Sequence, residues 1–145
     1  MNIDITKKEY RALLDMICIT DWILDAFSKE GHSFPEHHAL KVKLFSLYKE
    51  MGAEEQIEYD DTLNDFFETE SYTEELQTQF IEPFEHAVFW DELTHRLAKR
   101  DLINEIGQEA YRNMDAMERY KRICVFEEQY EKEFQESGLN KLVIK

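Results

Sequence analysis

TKKEYRALLDMICITDWILDAFSKEG, residues 6–31, is the stretch that decides the fold. Thr6 followed three residues later by Glu9 is a capping box that opens a helix, and Gly31 can end it in a left-handed conformation. Projected at about 100° per residue, Tyr10, Leu13, Leu14, Met16, Ile17, Ile19, Ile23, Leu24, Ala26 and Phe27 cover most of the circumference. A helix apolar on most sides belongs in the middle of a bundle. Its polar stripe is narrow: Arg11, Asp15, Asp21 and Asp25. Cys18 and Trp22 project within that stripe. Two readings follow: neighbouring helices cover Trp22, with its indole N–H on an aspartate, or Cys18 and Trp22 floor a groove rimmed by carboxylates such as Asp25.

Outward from this helix, glycines and prolines punctuate the chain. Pro35 suits the first turn of a second helix that Gly52 ends. Asp60 or Asp61 is placed to cap a short helix through Glu68. Thr73 precedes another, bounded by Pro83. A long pattern from Phe84 to Ile106 ends at Gly107, and Asp115 with Glu118 opens a final helix that stops at Gly138. Ile3 with Ile5, and Leu142 with Ile144, alternate with polar neighbours as short strands do, and could pair the termini; Gln56–Tyr59 is a third such run. The expectation is all-α: one helical domain over residues 1–145, a bundle of five or six helices around the N-terminal one, with minor β pairing of the termini.

The chain has 145 residues, 43% of them hydrophobic, so its charge does not imply disorder. The net charge of −15 comes entirely from residues 50–95, which hold 15 carboxylates and no Lys or Arg. Such a one-signed field attracts basic partners and repels nucleic acid and anionic membrane. The two basic clusters, Arg96, Lys99, Arg100 and Arg119, Lys121, Arg122, lie one helical turn from acids, so ion pairing accounts for them and direct nucleic-acid binding is not expected. The longest strongly apolar window, Ala12–Ile19, is too short to span a bilayer and is broken by Asp15. The N-terminus has neither the basic region nor the apolar core of a signal peptide. Cys18 and Cys124 sit in helical patterns rather than a disulfide framework, as in a reduced, cytoplasmic protein.

Catalytic templates fail: each glycine terminates a helix, leaving none for a phosphate loop, and no metalloprotease or nucleophile-elbow motif occurs. The reading therefore leans away from an enzyme, and no cofactor is expected. Glu92-Leu-Thr-His95 is half of a di-iron carboxylate signature, but no second Glu-x-x-His exists. A mononuclear transition-metal site could still join His95 and Glu92 to His37 or His38. Phe89–Leu102, with Glu9–Leu14 and Trp22, resembles small acidic helical bacterial proteins of uncharacterised function; the likeness spans about a third of the chain and implies a helical cytosolic protein without supplying site residues.

The leading expectation is a noncatalytic interaction or regulatory protein presenting residues 50–95 to a basic protein partner. Asp60, Asp61, Asp65, Glu68 and Glu70 would form its acidic rim, with Phe66 and Tyr72 as aromatic anchors. The alternative is a small metal-binding or metal-dependent protein. Either is compatible with a monomer or a homodimer.

Overall fold

The computed structural model describes residues 3–28 and 31–142. The protein is all-α with one small antiparallel sheet. Two compact units divide it, residues 1–84 and 85–145, and each is built around its own core.

In the first unit α1 (Lys7–Ser28) starts as its sequence dictates. Glu9 Oε2 accepts from the Thr6 backbone N–H at 2.8 Å, and Thr6 Oγ1 accepts from the Glu9 N–H at 3.3 Å. The Thr6 hydroxyl also donates to Glu9 Oε2 at 2.7 Å, and that bond, with the one from the Thr6 N–H, holds the Glu9 carboxyl below its ordinary pKa. The helix buries one seam, Tyr10, Leu14 and Cys18, at successive turns. Met16, Ile23 and Phe27 stay exposed, so burial follows that seam rather than the whole apolar circumference.

Pro35 opens α2 (Pro35–Phe45), and a turn at Ser46–Leu47 separates it from α3 (Tyr48–Met51). Gly52 closes α3 at φ 69°, a left-handed conformation that an L side chain rarely adopts. The Tyr10 hydroxyl donates to the Leu44 carbonyl at 2.7 Å, satisfying a backbone acceptor at the end of α2.

Where a short helix capped by Asp60 or Asp61 was expected, the chain forms a hairpin of β1 (Ile57–Asp60) and β2 (Asp65–Glu68). Ile57 lies opposite Glu68, and Tyr59 opposite Phe66. Asp60 does act as a cap, but of a turn: its Oδ1 accepts from the N–H groups of Thr62 and Leu63 at 2.7 and 3.0 Å. Asn64 completes the reversal at φ 53°. The expected β pairing is thus internal. Ile3 and Ile5 lie in no strand, Leu142 lies outside any regular element, and Ile144 falls outside the described residues.

α4 (Glu70–Leu76) is capped by Thr69, not Thr73. Thr69 Oγ1 accepts from the Tyr72 N–H at 3.4 Å and donates to the Glu55 carbonyl. Pro83 does not stop the helix either. Residues Gln77–Ile81 form a π-helical turn in which the Glu82 N–H reaches back to the Gln77 carbonyl, and α5 (Glu82–Ile106) follows. The proline has no N–H and its ring would strike the carbonyl four residues earlier; widening the turn by one residue accommodates both. Phe45, Tyr48, Ala53, Ile57, Tyr72 and Leu76 complete the first core around the α1 seam.

The second unit packs α5 with α6 (Gln108–Asn113) and α7 (Ala116–Ser137). Asp115 caps α7, accepting from the Met117 and Glu118 N–H groups at 2.9 and 3.2 Å. Ala98, Leu102 and Ile123 are its buried centre, flanked by Ile106, Tyr111, Phe126 and Tyr130. Among the described residues no helix is long and apolar enough to cross a membrane.

Each core has a residue whose loss should be costly. Leu102→Ala should destabilise the second unit by about 2–5 kcal/mol, read as a lowered urea midpoint. In the first unit, Tyr72→Phe deletes only the hydroxyl that donates to Asp15 at 2.7 Å, and should cost about 1–2 kcal/mol. Tyr72→Ala should cost about 3–5 kcal/mol. Equal midpoints for the two Tyr72 variants would show that the ring is not core.

Candidate functional site

The sequence-selected residues fall in three places. The first is the hairpin. Tyr72 takes no part in its surface: it is 1% exposed, its hydroxyl bonded to Asp15 and its ring lying 4.4 Å beneath the Arg11 guanidinium. Burial and the Asp15 bond push its phenol pKa up. Phe66 is also turned inward, its ring 5.9 Å from Tyr48 and 4.9 Å from Tyr59. The alternation of the strand instead leaves Phe67 partly exposed, and the turn leaves Leu63 65% exposed.

The carboxylates of the hairpin divide by role. Asp60 is held below its usual range by the Leu63 and Thr62 N–H groups. Asp65 accepts from the Phe66 N–H at 2.8 Å and lies 3.8 Å from His38 Nε2. Glu68 pairs with Lys41 at 3.0 Å. Asp61 and Glu70 remain exposed, as do Glu54, Glu55 and Glu58.

The second place is a groove of about 370 Å³ in the first unit, which brings Cys18, Trp22 and Asp25 together. Trp22 is 37% exposed in it. Sequence reading missed the group that organises this groove. Lys41 Nζ donates to Asp21 at 2.6 Å and also pairs with Glu68. Burial pulls its pKa down, but the Asp21 hydrogen bond and the Glu68 charge outweigh that and hold the ammonium above its ordinary value. Burial and the nearby Glu68 push the Cys18 thiol up, so it is a poor nucleophile. No spacing rule links Lys41 to residues so distant in sequence; only the hairpin brings Glu68 to it.

The third place lies in the second unit, a groove of about 630 Å³ between α5 and α7 that includes both Glu92 and His95. His95 Nδ1 donates to Glu127 Oε1 at 2.8 Å. Glu92 accepts from Arg96 Nε at 2.8 Å, and that bond lowers its pKa. Trp90 Nε1 donates to His86 Nε2 at 3.0 Å, and the indole packs against Phe134 with ring centroids 5.3 Å apart. Phe134 stacks in turn on Tyr130. Tyr130 donates to Asp101, which also pairs with Arg100 at 2.7 Å. Glu127 and the aromatic ladder could not be assigned from sequence, because α7 alone does not reveal which of its faces meets α5.

The four residues named as metal ligands are divided between the two units. His37 and His38 belong to the first unit, where His37 packs edge-on to Phe34 and His38 faces Asp65. Glu92 and His95 belong to the second and have other partners. Among the described residues no group of three or more His, Cys, Asp or Glu could hold a metal ion. The chain matches no family model, no curated protein and no solved structure.

Proposed function

We propose that the chain is a noncatalytic interaction or regulatory protein whose acidic sector, residues 50–95, engages a basic protein partner through the β1–β2 hairpin. One observation carries the reading. Leu63, 65% exposed, stands at the turn of a hairpin on which Tyr59 and Phe67 are each partly exposed, in a segment that contains no Lys or Arg. Exposed Glu54, Glu55, Glu58 and Asp61 surround it in sequence. An apolar anchor with a one-signed rim is the chemistry of a surface that attracts a cationic partner over distance and then holds it by burial. Free cysteines at Cys18 and Cys124 support a reducing, cytoplasmic setting.

The reading predicts a salt-sensitive complex. Native mass spectrometry of protein purified gently from its host should show a second, basic polypeptide at about 50 mM salt that is released at about 500 mM. Cross-links should map to the hairpin. Glu58→Lys with Asp61→Lys should abolish retention, and Leu63→Ser should weaken it without altering the fold. Retention indifferent to both salt and charge reversal would overturn the reading, as would a bare chain at low salt.

A further inference from the structure

We propose that α1 and α2 of the first unit form the interface of a homodimer, two copies meeting across a two-fold axis near Leu40, independently of the hairpin's role. The first argument is α1. Its sequence is apolar on most sides, yet the structure buries only the seam of Tyr10, Leu14 and Cys18. Ala12, Met16, Thr20, Ile23 and Phe27, spaced four, four, three and four, share another face, and all five are exposed. That strip runs uncharged for about 22 Å of helix, in a chain of which 34% is charged. Asp15, Asp21 and Asp25 lie on other sides of the helix. Single exposed apolar residues are ordinary, but a continuous exposed strip marks a surface that something covers.

The second argument is that α2 extends this surface. Met16 on α1 and Leu40 on α2, 66% and 55% exposed, line one groove of about 220 Å³ with the less exposed Leu13 and Ile17. A protruding side chain of a second copy fits such a groove as a knob fits a hole. Polar groups of the groove are already engaged: the Thr20 hydroxyl donates to the Met16 carbonyl at 2.8 Å, and Lys41 pairs with Asp21 at 2.6 Å. Covering the groove therefore strands none of these three.

Charge identifies the occupant as a second copy. Glu36, Leu40 and Lys43 form an exposed ridge on one face of α2. Glu36 stands one turn before Leu40 and Lys43 one turn after it, and neither enters an ion pair among the described residues. An antiparallel apposition about Leu40 sets Glu36 of each copy against Lys43 of the other, so the ridge is complementary to itself. A partner of one sign would meet only half of it. Residues 1–49 hold seven Lys and Arg and seven Asp and Glu, so two copies meet here without the repulsion that residues 50–95 would impose. Two α1–α2 pairs so apposed also bury α1 on a second side, as its apolar circumference requires.

Sedimentation equilibrium of the full chain, at about 10–100 μM and about 150 mM salt, should give twice the 17.5 kDa chain mass. Met16→Glu with Leu40→Glu should weaken the dimer about a hundredfold or more while keeping the helical circular dichroism. Glu36→Lys or Lys43→Glu alone should weaken it about tenfold, because each is used twice, and the two together should restore it. Leu63→Ser should leave the mass unchanged. The proposal is overturned by a monomer at about 100 μM, by a dimer that Met16→Glu with Leu40→Glu leaves intact, or by single reversals whose combination restores nothing.

Discussion

Lys41 reaches across the first unit to Asp21 on α1 and Glu68 on β2, at 2.6 and 3.0 Å, with only 14% of its side chain exposed. One ammonium therefore ties together α1, α2 and β2, three of the elements that line the Cys18–Trp22 groove. Its position matters because cations are scarce, 17 Lys and Arg against 32 Asp and Glu. Deleting Lys41 would leave two partly buried carboxylates facing each other, a worse state than an apolar pair in the same place. Arg11 performs a related task on the other side of α1. It pairs with Glu75 at 2.7 Å and lies over the Tyr72 ring, while Tyr72 donates to Asp15. The charged groups nearest the first core are thereby neutralised, and the excess carboxylates are left to the hairpin and its flanks.

That allocation links folding to surface chemistry. Asp60 and Asp65 sit opposite each other in the hairpin register, where like charges repel. Backbone N–H donors relieve this, those of Leu63 and Thr62 at Asp60 and that of Phe66 at Asp65. The turn thus uses two carboxylates as structural acceptors without any cation. Asp61, Glu58 and their exposed neighbours have no such duty, which is why the proposed partner surface is built from them and not from Asp60.

What was legible in the sequence was local. The Thr6–Glu9 box, Pro35 at a helix start, Gly52, Gly107 and Gly138 as terminators, and the Asp115 cap act within one turn of the chain, so spacing alone reveals them. What failed depended on distant partners. Asp60 has the same capping chemistry at a helix and at a β-turn, and Tyr59–Phe66 packing against Tyr48 decides between them. Tyr72 looked like a surface aromatic because its neighbours are acidic; the buried partner that claims it, Asp15, lies on α1. Pro83 looked like a boundary because a proline breaks an α-helix, and a π turn evades that rule. Of the sites, the grouping of Cys18, Trp22 and Asp25 followed from helical spacing, whereas Lys41, Glu127 and Phe134 required the tertiary fold.

The two units use acidity in different ways. Along α5 and α7 three of the seven Lys and Arg residues pair with an acid: Arg96 with Glu92, Arg100 with Asp101, Arg122 with Glu105. Such exposed pairs are worth little individually, but they cancel the field locally. Asp91 and Glu131 escape this cancellation at the point where the helices flank an aromatic groove.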